Sequence, residues 1–326
     1  MILVCFGTRP EYIKVKSLIK NLNNIKTCFT GQHYDILKNI KTDYKLNFDR
    51  NLNNNKLNNI IINILNNNYI FDNIDYVLVQ GDTTSAYAMA ISAFNHKKKI
   101  IHLEAGLRTN DIYDPYPEEL NRQLISRLAN IHLCPTALNK QNLINENITQ
   151  NIFITGNTGL DNIDKKNCSY DNIILITLHR RNNIPIINKW FENIEIIANK
   201  NKNLKFIFPM HPNPDIQKHK HILKSVHVIN PINHSELINI LKKCKFVISD
   251  SGGLQEEASF LNKKIIICRK TSERNEIIGT HGIFCKNPSE LNDIFNIVNS
   301  NYFIDKECPF GDGESYKKII DIVNKF

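Results

Sequence analysis

What most constrains this chain is the spacing of its short β-branched runs. ILVCF (2–6), KTCFT (26–30), YVLVQ (76–80), KIIHL (99–103), IHLCP (131–135) and NIFIT (151–155) recur at intervals that leave room for a helix. A strand–helix–strand rhythm of this kind builds a parallel sheet with helices on its faces. The rhythm stops over 156–171, where Gly, Asn, Asp and Lys dominate. It restarts with NIILITL (172–178), LKFIFP (204–209), VHVI (226–229), FVIS (246–249) and KIIIC (264–268). With 326 residues the chain is too long for one ordinary core. The expectation is therefore α/β: two Rossmann-like, doubly wound parallel-sheet domains, 1–158 and 159–308, with a last helix, 309–326, packing back on the first. Such sheets bind ligands beyond the carboxyl ends of their strands, in this case in a cleft between two facing domains.

Composition narrows the partners. No apolar stretch reaches the roughly 18 residues of a membrane span. The opening run of MILVCFGTRPEYIK is too brief for a signal-peptide core, so a cytoplasmic protein with no membrane partner is expected. The formal net charge of +9 admits nucleic acid or a phosphorylated small molecule. Lys97 to Lys99, Lys242, Lys243, Lys263 and Lys264 precede apolar runs as solvated turns without aromatic interleaving, which argues against nucleic acid. The eight cysteines form no C-x-x-C pair and read as reduced, mostly buried thiols. His219 and His221 lack nearby Cys or carboxylate clusters, so no metal is expected. The Asn-rich stretch 51–68 reads as a helix rather than as disorder.

The residues after each run carry the chemistry. Gly7-Thr8-Arg9-Pro10-Glu11-Tyr12-Ile13-Lys14 is a tight turn into a helix with Pro10 at its head. Such a start attracts anions, with Arg9 placed to grip phosphate and Lys14 about one turn further in. The plainer alternative is a capped turn with two surface cations. Neither G-x-G-x-x-G nor a Walker loop is present, so NAD and ATP chemistry lose their warrant and no cofactor is expected. Gln80-Gly81-Asp82-Thr83-Thr84-Ser85 places Asp82 at a strand end, as a site carboxylate or merely a helix cap. His102-Leu103-Glu104 brings a second carboxylate to the neighbouring end, an arrangement suited to proton transfer at carbon. Pro117-Glu118-Glu119-Leu120-Asn121-Arg122 opens a helix whose buried stripe is expected at Leu120, Leu124 and Leu128. Glu118 and Arg122, at i and i+4, are either a surface ion pair or a third site carboxylate with its own cation.

In the second half, NIILITL runs into His179-Arg180-Arg181, a constellation fit for phosphate, and LKFIFP runs into His211-Pro212. SDSGGLQEEA follows FVIS and opens a helix with Leu254, Ala258 and Leu261 on its buried face. Ser251, Gly252 and Gly253 are expected to leave backbone N–H groups bare at a positive helix end, which suits a diphosphate. Glu257, one turn further in, is placed to accept from ribose hydroxyls.

Taken in order, GTRPEYIK, GQH, QGDTTS, HLEAGLRT, PEELNR, GNT, HRR, HPNP, SDSGGLQEEA, SERNEI and PFGDGESYKKI resemble the non-hydrolysing UDP-N-acetylglucosamine 2-epimerase family over nearly the whole chain. The resemblance implies a glycosyltransferase-B-like architecture, a final helix crossing back to the first domain, a homodimer, no redox cofactor and a place in polysaccharide biosynthesis. It implies a UDP-2-acetamido sugar as partner, inverted at C2 by anti elimination of UDP to a 2-acetamidoglycal and re-addition. By match to the family's motifs, Asp82, Glu104 and Glu118 form the acid/base group, and His179 supports catalysis beside the diphosphate. Arg9, Lys14, Arg122, Arg180, His211, Ser251, Gly252, Gly253, Glu257 and Arg274 correspond to nucleotide or sugar contacts.

The chain departs from the pattern at Tyr34, where bacterial members usually carry Arg, in a short, Asn-rich 50–70 region, and at Asn275, a Pro position. Turnover is therefore expected to need no second molecule of UDP-N-acetylglucosamine. Three rivals use the same residues: a hydrolysing epimerase, a UDP-sugar-dependent glycosyltransferase and a non-catalytic UDP-sugar sensor. The three carboxylates and His179 argue against the last two.

Overall fold

The alternation of side chains in the first apolar run explains the first sheet. In the computed structural model, which describes residues 1–33, 40–46 and 55–326, β1 (Ile2–Phe6) sends Leu3 and Cys5 into one apolar core and Val4 and Phe6 into another. A strand buried on both faces is apolar throughout, as parallel sheets require. There follow α1 (Arg9–Asn21), β2 (Ile25–Phe29), β3 (Tyr44–Lys45), α2 (Lys56–Leu65), β4 (Tyr76–Gln80), α3 (Thr84–Asn95), β5 (Lys99–Leu103), α4 (Glu118–Leu128), β6 (Ile131–Cys134), α5 (Ala137–Asn145) and β7 (Ile152–Ile154). These strands pair in the order β3-β2-β1-β4-β5-β6-β7, all parallel. The winding reverses at β1, so the carboxyl ends of β1, β4 and β5 open onto a common edge.

The second sheet repeats the pattern. Its elements are β8 (Ile173–Thr177), α6 (Ile187–Lys200), β9 (Lys205–Pro209), α7 (Pro214–Gln217), β10 (His227–Ile229), α8 (His234–Lys243), β11 (Phe246–Ser249), α9 (Gly252–Phe260), β12 (Lys264–Ile267), β13 (Gly282–Phe284) and α10 (Leu291–Ser300). The parallel order is β10-β9-β8-β11-β12-β13, over a core rich in Trp190, Phe191, Phe206, Phe208, Phe246 and Phe295. The last helix, α11 (Ser315–Val323), contributes Ile319 and Val323 to the first unit's core beside Val15 and Leu18 of α1. The chain divides into Met1–Asn162 with Phe310–Phe326, and Ile163–Pro309. The first boundary lies a few residues beyond 158. The sequence rhythm passes over β3, only two residues long, and β13, which opens on Gly282 and holds a single β-branched residue, Ile283.

The leucine spacing of α4 misplaces its buried stripe. Glu119, Asn121, Arg122, Ile125 and Ser126 face inward, whereas Leu120 is 40% and Leu124 36% exposed. Bonds from this face to other elements, Arg122 to the Asp82 carboxylate, Asn121 to the Asp82 carbonyl and Glu119 to the N–H groups of Thr109 and Asn110, set the rotation of this helix. Leu120 and Leu124 are left outside, while Leu128, the third leucine of the expected stripe, packs partly buried against the core. In the Asn-rich region, α2 is capped by Asn55, whose side chain accepts from Leu57 N and Asn58 N, and it buries Asn59 and Asn63. Tyr34 and the residues before Asn55 in that region, 47–54, lie outside the described residues. All eight cysteines are free thiols, with Cys168 exposed and Cys308 partly so. Burial pushes the thiols of Cys134, Cys244 and Cys285 up to about 12. Among the described residues no helix is long and apolar enough to cross a membrane, and no group of three or more His, Cys, Asp or Glu could hold a metal ion.

Candidate active site

Strand register sets the first cluster. Gln80 of β4 lies beside Leu103 of β5, so Asp82 and Glu104 leave the sheet at the same edge. Glu104 is buried and accepts from Lys14 Nζ (2.5 Å) and Asn157 Nδ2 (2.8 Å) on Oε1, and from Gln80 Nε2 (2.5 Å) on Oε2. Its φ of +68° lies in the left-handed region, where a non-glycine residue costs about 1–3 kcal/mol and is most often found at functional sites. Gly81, at φ +70°, makes room for it, since a Cβ there would come within 3.3 Å of Glu104 Oε2.

Asp82 is not the cap of α3. That role falls to Thr83, whose Oγ1 accepts from Ala86 N at 3.0 Å. The Asp82 carboxylate is instead paired with Arg122 Nη2 at 2.5 Å, and Asn121 Nδ2 donates to its backbone carbonyl at 2.9 Å. Arg122 is buried, which rules out a surface pair, and is braced by Glu119 Oε2 at 3.2 Å. Glu119 also takes the backbone N–H groups of Thr109 (3.0 Å) and Asn110 (3.3 Å), tying the loop after Glu104 to α4. Sequence reasoning singled out Glu118, which is half-buried at the first position of α4, and missed Glu119. Only the helix phase separates the two, and that phase is set by packing.

The turn after β1 departs from expectation. Arg9 is the first residue of α1 and Pro10 the second. The helix start is closed by its own side chains: Glu11 Oε2 accepts from Gly7 N (3.0 Å) and Thr8 N (2.6 Å), and Glu11 Oε1 from Thr83 Oγ1 (2.7 Å). Burial pushes the Glu11 carboxyl up, and these hydrogen bonds oppose that shift. This helix end therefore already holds a carboxyl group of its own. What it presents for phosphate is the partly exposed Arg9 side chain rather than bare N–H groups.

The second unit gathers its polar residues after β8, β9, β11 and β12. His179 and His211 stack with ring centroids 5.6 Å apart and planes 14° apart. Burial, and then the neighbouring His179, push the His211 imidazole down. Asp250 is fully buried and accepts from the backbone N–H groups of His179 (3.1 Å) and Arg180 (2.9 Å) and from Asn183 Nδ2 (2.9 Å). Asn183 Oδ1 in turn accepts from the Trp190 indole at 3.2 Å. Sequence reasoning quoted Asp250 within its motif but gave it no role; the available signal was an acid ending an apolar strand.

At the start of α9, Ser251 is the cap and its N–H is taken by Ser249 Oγ at 2.9 Å, so this group is not bare as expected. The N–H groups of Gly252 and Gly253 have no protein partner among the described residues. A Cβ on Gly252 would lie 2.7 Å from Arg274 Nη1, whereas one on Gly253 would meet nothing. Arg274 is buried against Glu256 and Glu273, and Glu273 also pairs with Arg269 (2.8 Å) and Arg180 (3.7 Å). Arg180, Arg269 and Arg274 are thus gathered with Glu256, Glu273 and Asp250 beside two N–H donors at a helix start, a setting in which guanidiniums and a helix end can meet an anion. Glu257, one turn in, pairs with His234 Nε2 at 2.6 Å.

Residues 18–324 match the family model described as UDP-N-acetylglucosamine 2-epimerase. The chain is 37% identical over 377 residues to a UDP-N-acetylglucosamine 2-epimerase of Campylobacter jejuni, covering 99% of this chain and 97% of the relative. It is 33% identical over 358 residues to that of Bacillus subtilis, covering 98% and 94%. The UDP-N-acetylglucosamine 2-epimerase of Neisseria meningitidis, solved bound to UDP-N-acetylglucosamine, has a TM-score of 0.89 at 32% identity and is covered, like this chain, over 100% of its length. With so nearly complete a match in sequence and fold, the chain belongs to the UDP-N-acetylglucosamine 2-epimerase family.

Proposed function

We propose that this protein is a non-hydrolysing epimerase that inverts C2 of a UDP-2-acetamido sugar, works as a cytoplasmic homodimer without redox cofactor or metal, and supplies polysaccharide biosynthesis. The observation that carries the reading is the pair Asp82 and Glu104, two carboxylates at neighbouring strand ends, each matched to a cation and neither used as a helix cap. The names of the Campylobacter and Bacillus relatives and the ligand of the Neisseria structure support the substrate class.

Inversion at C2 needs a weakly acidic C–H removed from one face and a proton returned to the other. A base takes the C2 proton while the C1–O bond to UDP breaks, giving a 2-acetamidoglycal and UDP. Protonation of C2 from the opposite face and return of UDP to C1 complete the exchange with no net redox change. Asp82, Glu104 and Glu118 carry the protons, with Lys14 and Arg122 holding the charge of the first two. Within the second unit, Gly252, Gly253, Ser251, Arg180 and Arg274 hold the diphosphate with His179 beside it, and His211 and Glu257 complete the nucleotide contacts. The exposed Leu120 and Leu124 of α4, following exposed Tyr113 and Tyr116, favour a second copy as partner of the first unit.

The deciding experiment incubates the protein with UDP-2-acetamido sugars in D2O, without acceptor, and follows C2 by NMR. Deuterium at C2 with UDP retained on the sugar is expected. Free sugar would mean hydrolysis, and no exchange with any sugar would mean transfer or mere binding. In the same assay Asp82→Asn, Glu104→Gln and Glu118→Gln should each keep UDP affinity and lose about 10² or more in kcat, the size of a general acid or base. Wild-type turnover in all three amides would end the acid/base assignment.

A further inference from the structure

Glu104 is held by more than its salt bridge. Asn157, buried at the end of the first half of the chain, uses all four of its polar groups: its N–H donates to Phe310 O (2.7 Å), its carbonyl accepts from Leu160 N (3.1 Å), its Oδ1 accepts from Gly159 N (3.0 Å), and its Nδ2 donates to Glu104 Oε1 (2.8 Å). Since a backbone N–H can only donate, Gly159 fixes which end of the amide faces Glu104.

The backbone of Asn157 is equally determined. Phe310, fully buried, is the first residue of the segment that returns to the first unit. Gly156 (φ +83°) and Gly311 (φ +112°) let the two strands of chain touch, since a Cβ on Gly311 would lie 3.2 Å from Gly156 Cα. Downstream, Asp161 accepts from Ser315 N (2.8 Å) and Tyr316 N (2.9 Å), fastening the first turn of α11.

We propose that Asn157 is a positioning residue for Glu104: its amide sets the orientation of the carboxylate, and the returning chain at Phe310 sets the amide. The proposal rests on the reading of Glu104 as an acid/base group. Gln80 holds the other oxygen and Lys14 shares Oε1, so loss of Asn157 leaves Glu104 bonded but without the neutral donor that fixes the direction of Oε1 against the flexible Lys14 side chain. A carboxylate misplaced by less than an ångström loses rate, not substrate affinity.

The test uses Asn157→Ala, Asn157→Asp, Glu104→Gln and the double variant Glu104→Gln/Asn157→Ala. Each is read by kcat, KM, UDP affinity by calorimetry, C2 deuterium exchange and thermal unfolding. Asn157→Ala should lower kcat about 10- to 100-fold and leave UDP affinity within about twofold. If the residue acts through Glu104, the double variant exchanges no more slowly than Glu104→Gln within about twofold.

Asn157→Asp is isosteric and keeps the acceptor for Gly159, so it serves where the alanine variant fails to fold. It sets a carboxylate against Glu104, so its kcat should fall furthest above neutrality and recover toward acid, where one proton shared by the two carboxyls restores the hydrogen bond. Lys14 and Gln80 are kept throughout, and His102, held down to about 3 by burial, stays neutral over this range. Losses that multiply in the double variant, or a wild-type rate and pH profile in both Asn157 variants, overturn the positioning role. Full exchange by Glu104→Gln instead removes the acid/base reading on which it stands.

Discussion

Strands β4 and β11 hold the same place in their sheets, next to the strand where the winding reverses, and each ends in an Asp directly before a hydroxyl cap: Asp82 before Thr83, Asp250 before Ser251. The two acids nevertheless do different work. Asp82 stays a quarter exposed and faces one guanidinium, so it can meet a substrate. Asp250 is fully buried and spends its oxygens on the N–H groups of the β8 loop. The helix starts differ as well. At α3, Ser85 N is taken by Gln32 Oε1 at 3.1 Å, whereas at α9 the N–H groups of Gly252 and Gly253 lie open. One backbone turn thus leaves a part-exposed, cation-paired carboxylate in the first unit and a buried one beside two N–H groups without a protein partner among the described residues in the second, and the neighbours make the difference.

The sharpest way to break this contrast is the same substitution at both positions. Asp250→Asn can keep its one acceptor oxygen where Oδ2 takes His179 N, Arg180 N and Asn183 Nδ2, but it turns an amide donor against His179 N and removes the charge that strengthens those bonds, and should cost about 1–3 kcal/mol. Asp82→Asn should cost less than about 1 kcal/mol, because its partner Arg122 keeps Glu119. Urea titration followed by Trp190, the sole tryptophan and a core residue of the second unit, reads the first effect directly. Equal losses of stability at the two positions would make Asp82 a structural acid like its counterpart.

A second contrast lies beneath the turns. The Gly81 carbonyl before Asp82 is 2.8 Å from His102 Nε2, whereas the corresponding strand end in the second unit is held by the Thr177 and Ser249 hydroxyls, 2.6 Å apart and without titrating groups. Burial holds His102 down to about 3 and His132, its cross-strand neighbour, down to about 4. An unfolded chain takes up those protons near the ordinary imidazole pKa of about 6.5. Between that value and the folded ones the unfolded state binds more protons, so stability falls as pH falls. Each histidine then costs about 2–3 kcal/mol by pH 4.5. Asp161, raised to about 6 by burial, works in the opposite direction below that pH and returns about 2 kcal/mol. These three groups together give a loss of about 3 kcal/mol, which Glu11, its carboxyl also raised by burial, reduces. Hydrogen exchange at pH 4.5 should open β4, β5 and β6 before β8 and β11, and His132→Leu should reduce the acid sensitivity. Opening of the second unit first would refute this account.

Much of this was legible in the sequence. Strands come from unbroken β-branched runs, and the loops after them keep local signatures such as Gly-Asp-Thr or Ser-Gly-Gly that do not depend on packing. What could not be read was which neighbour each polar group meets. Asp82 and Asp250 share a local pattern and differ only in tertiary partners. Glu118 and Glu119 are adjacent and are sorted by the phase of α4, which its contacts with the Asp82 turn and the loop at Thr109 set against the leucine stripe. Glu11 looks like the acidic first turn of an open helix start and is in fact its lid. Asn157 reaches Glu104 across fifty-three residues, a distance at which periodicity carries no information.

The open start of α9 gives the last prediction. Gly252→Asp would confound charge with shape, because a Cβ at Gly252 presses on Arg274, whereas Gly253 has empty space around it. Gly253→Asp therefore adds a carboxylate at the helix end with little steric cost, and helix N-termini tolerate Asp well, so folding should be unharmed. The new anion competes with the diphosphate for the two N–H donors and for the field of Arg180 and Arg274. Replacing attraction by repulsion at that range should weaken UDP binding by about 10²-fold, close to 2.8 kcal/mol. Gly253→Ala separates the two causes: it adds the Cβ without the charge and should bind UDP within about threefold of the parent protein. Calorimetry on both variants decides it. Unchanged affinity in Gly253→Asp would remove this helix from the site, and an equal loss in Gly253→Ala would assign the effect to shape.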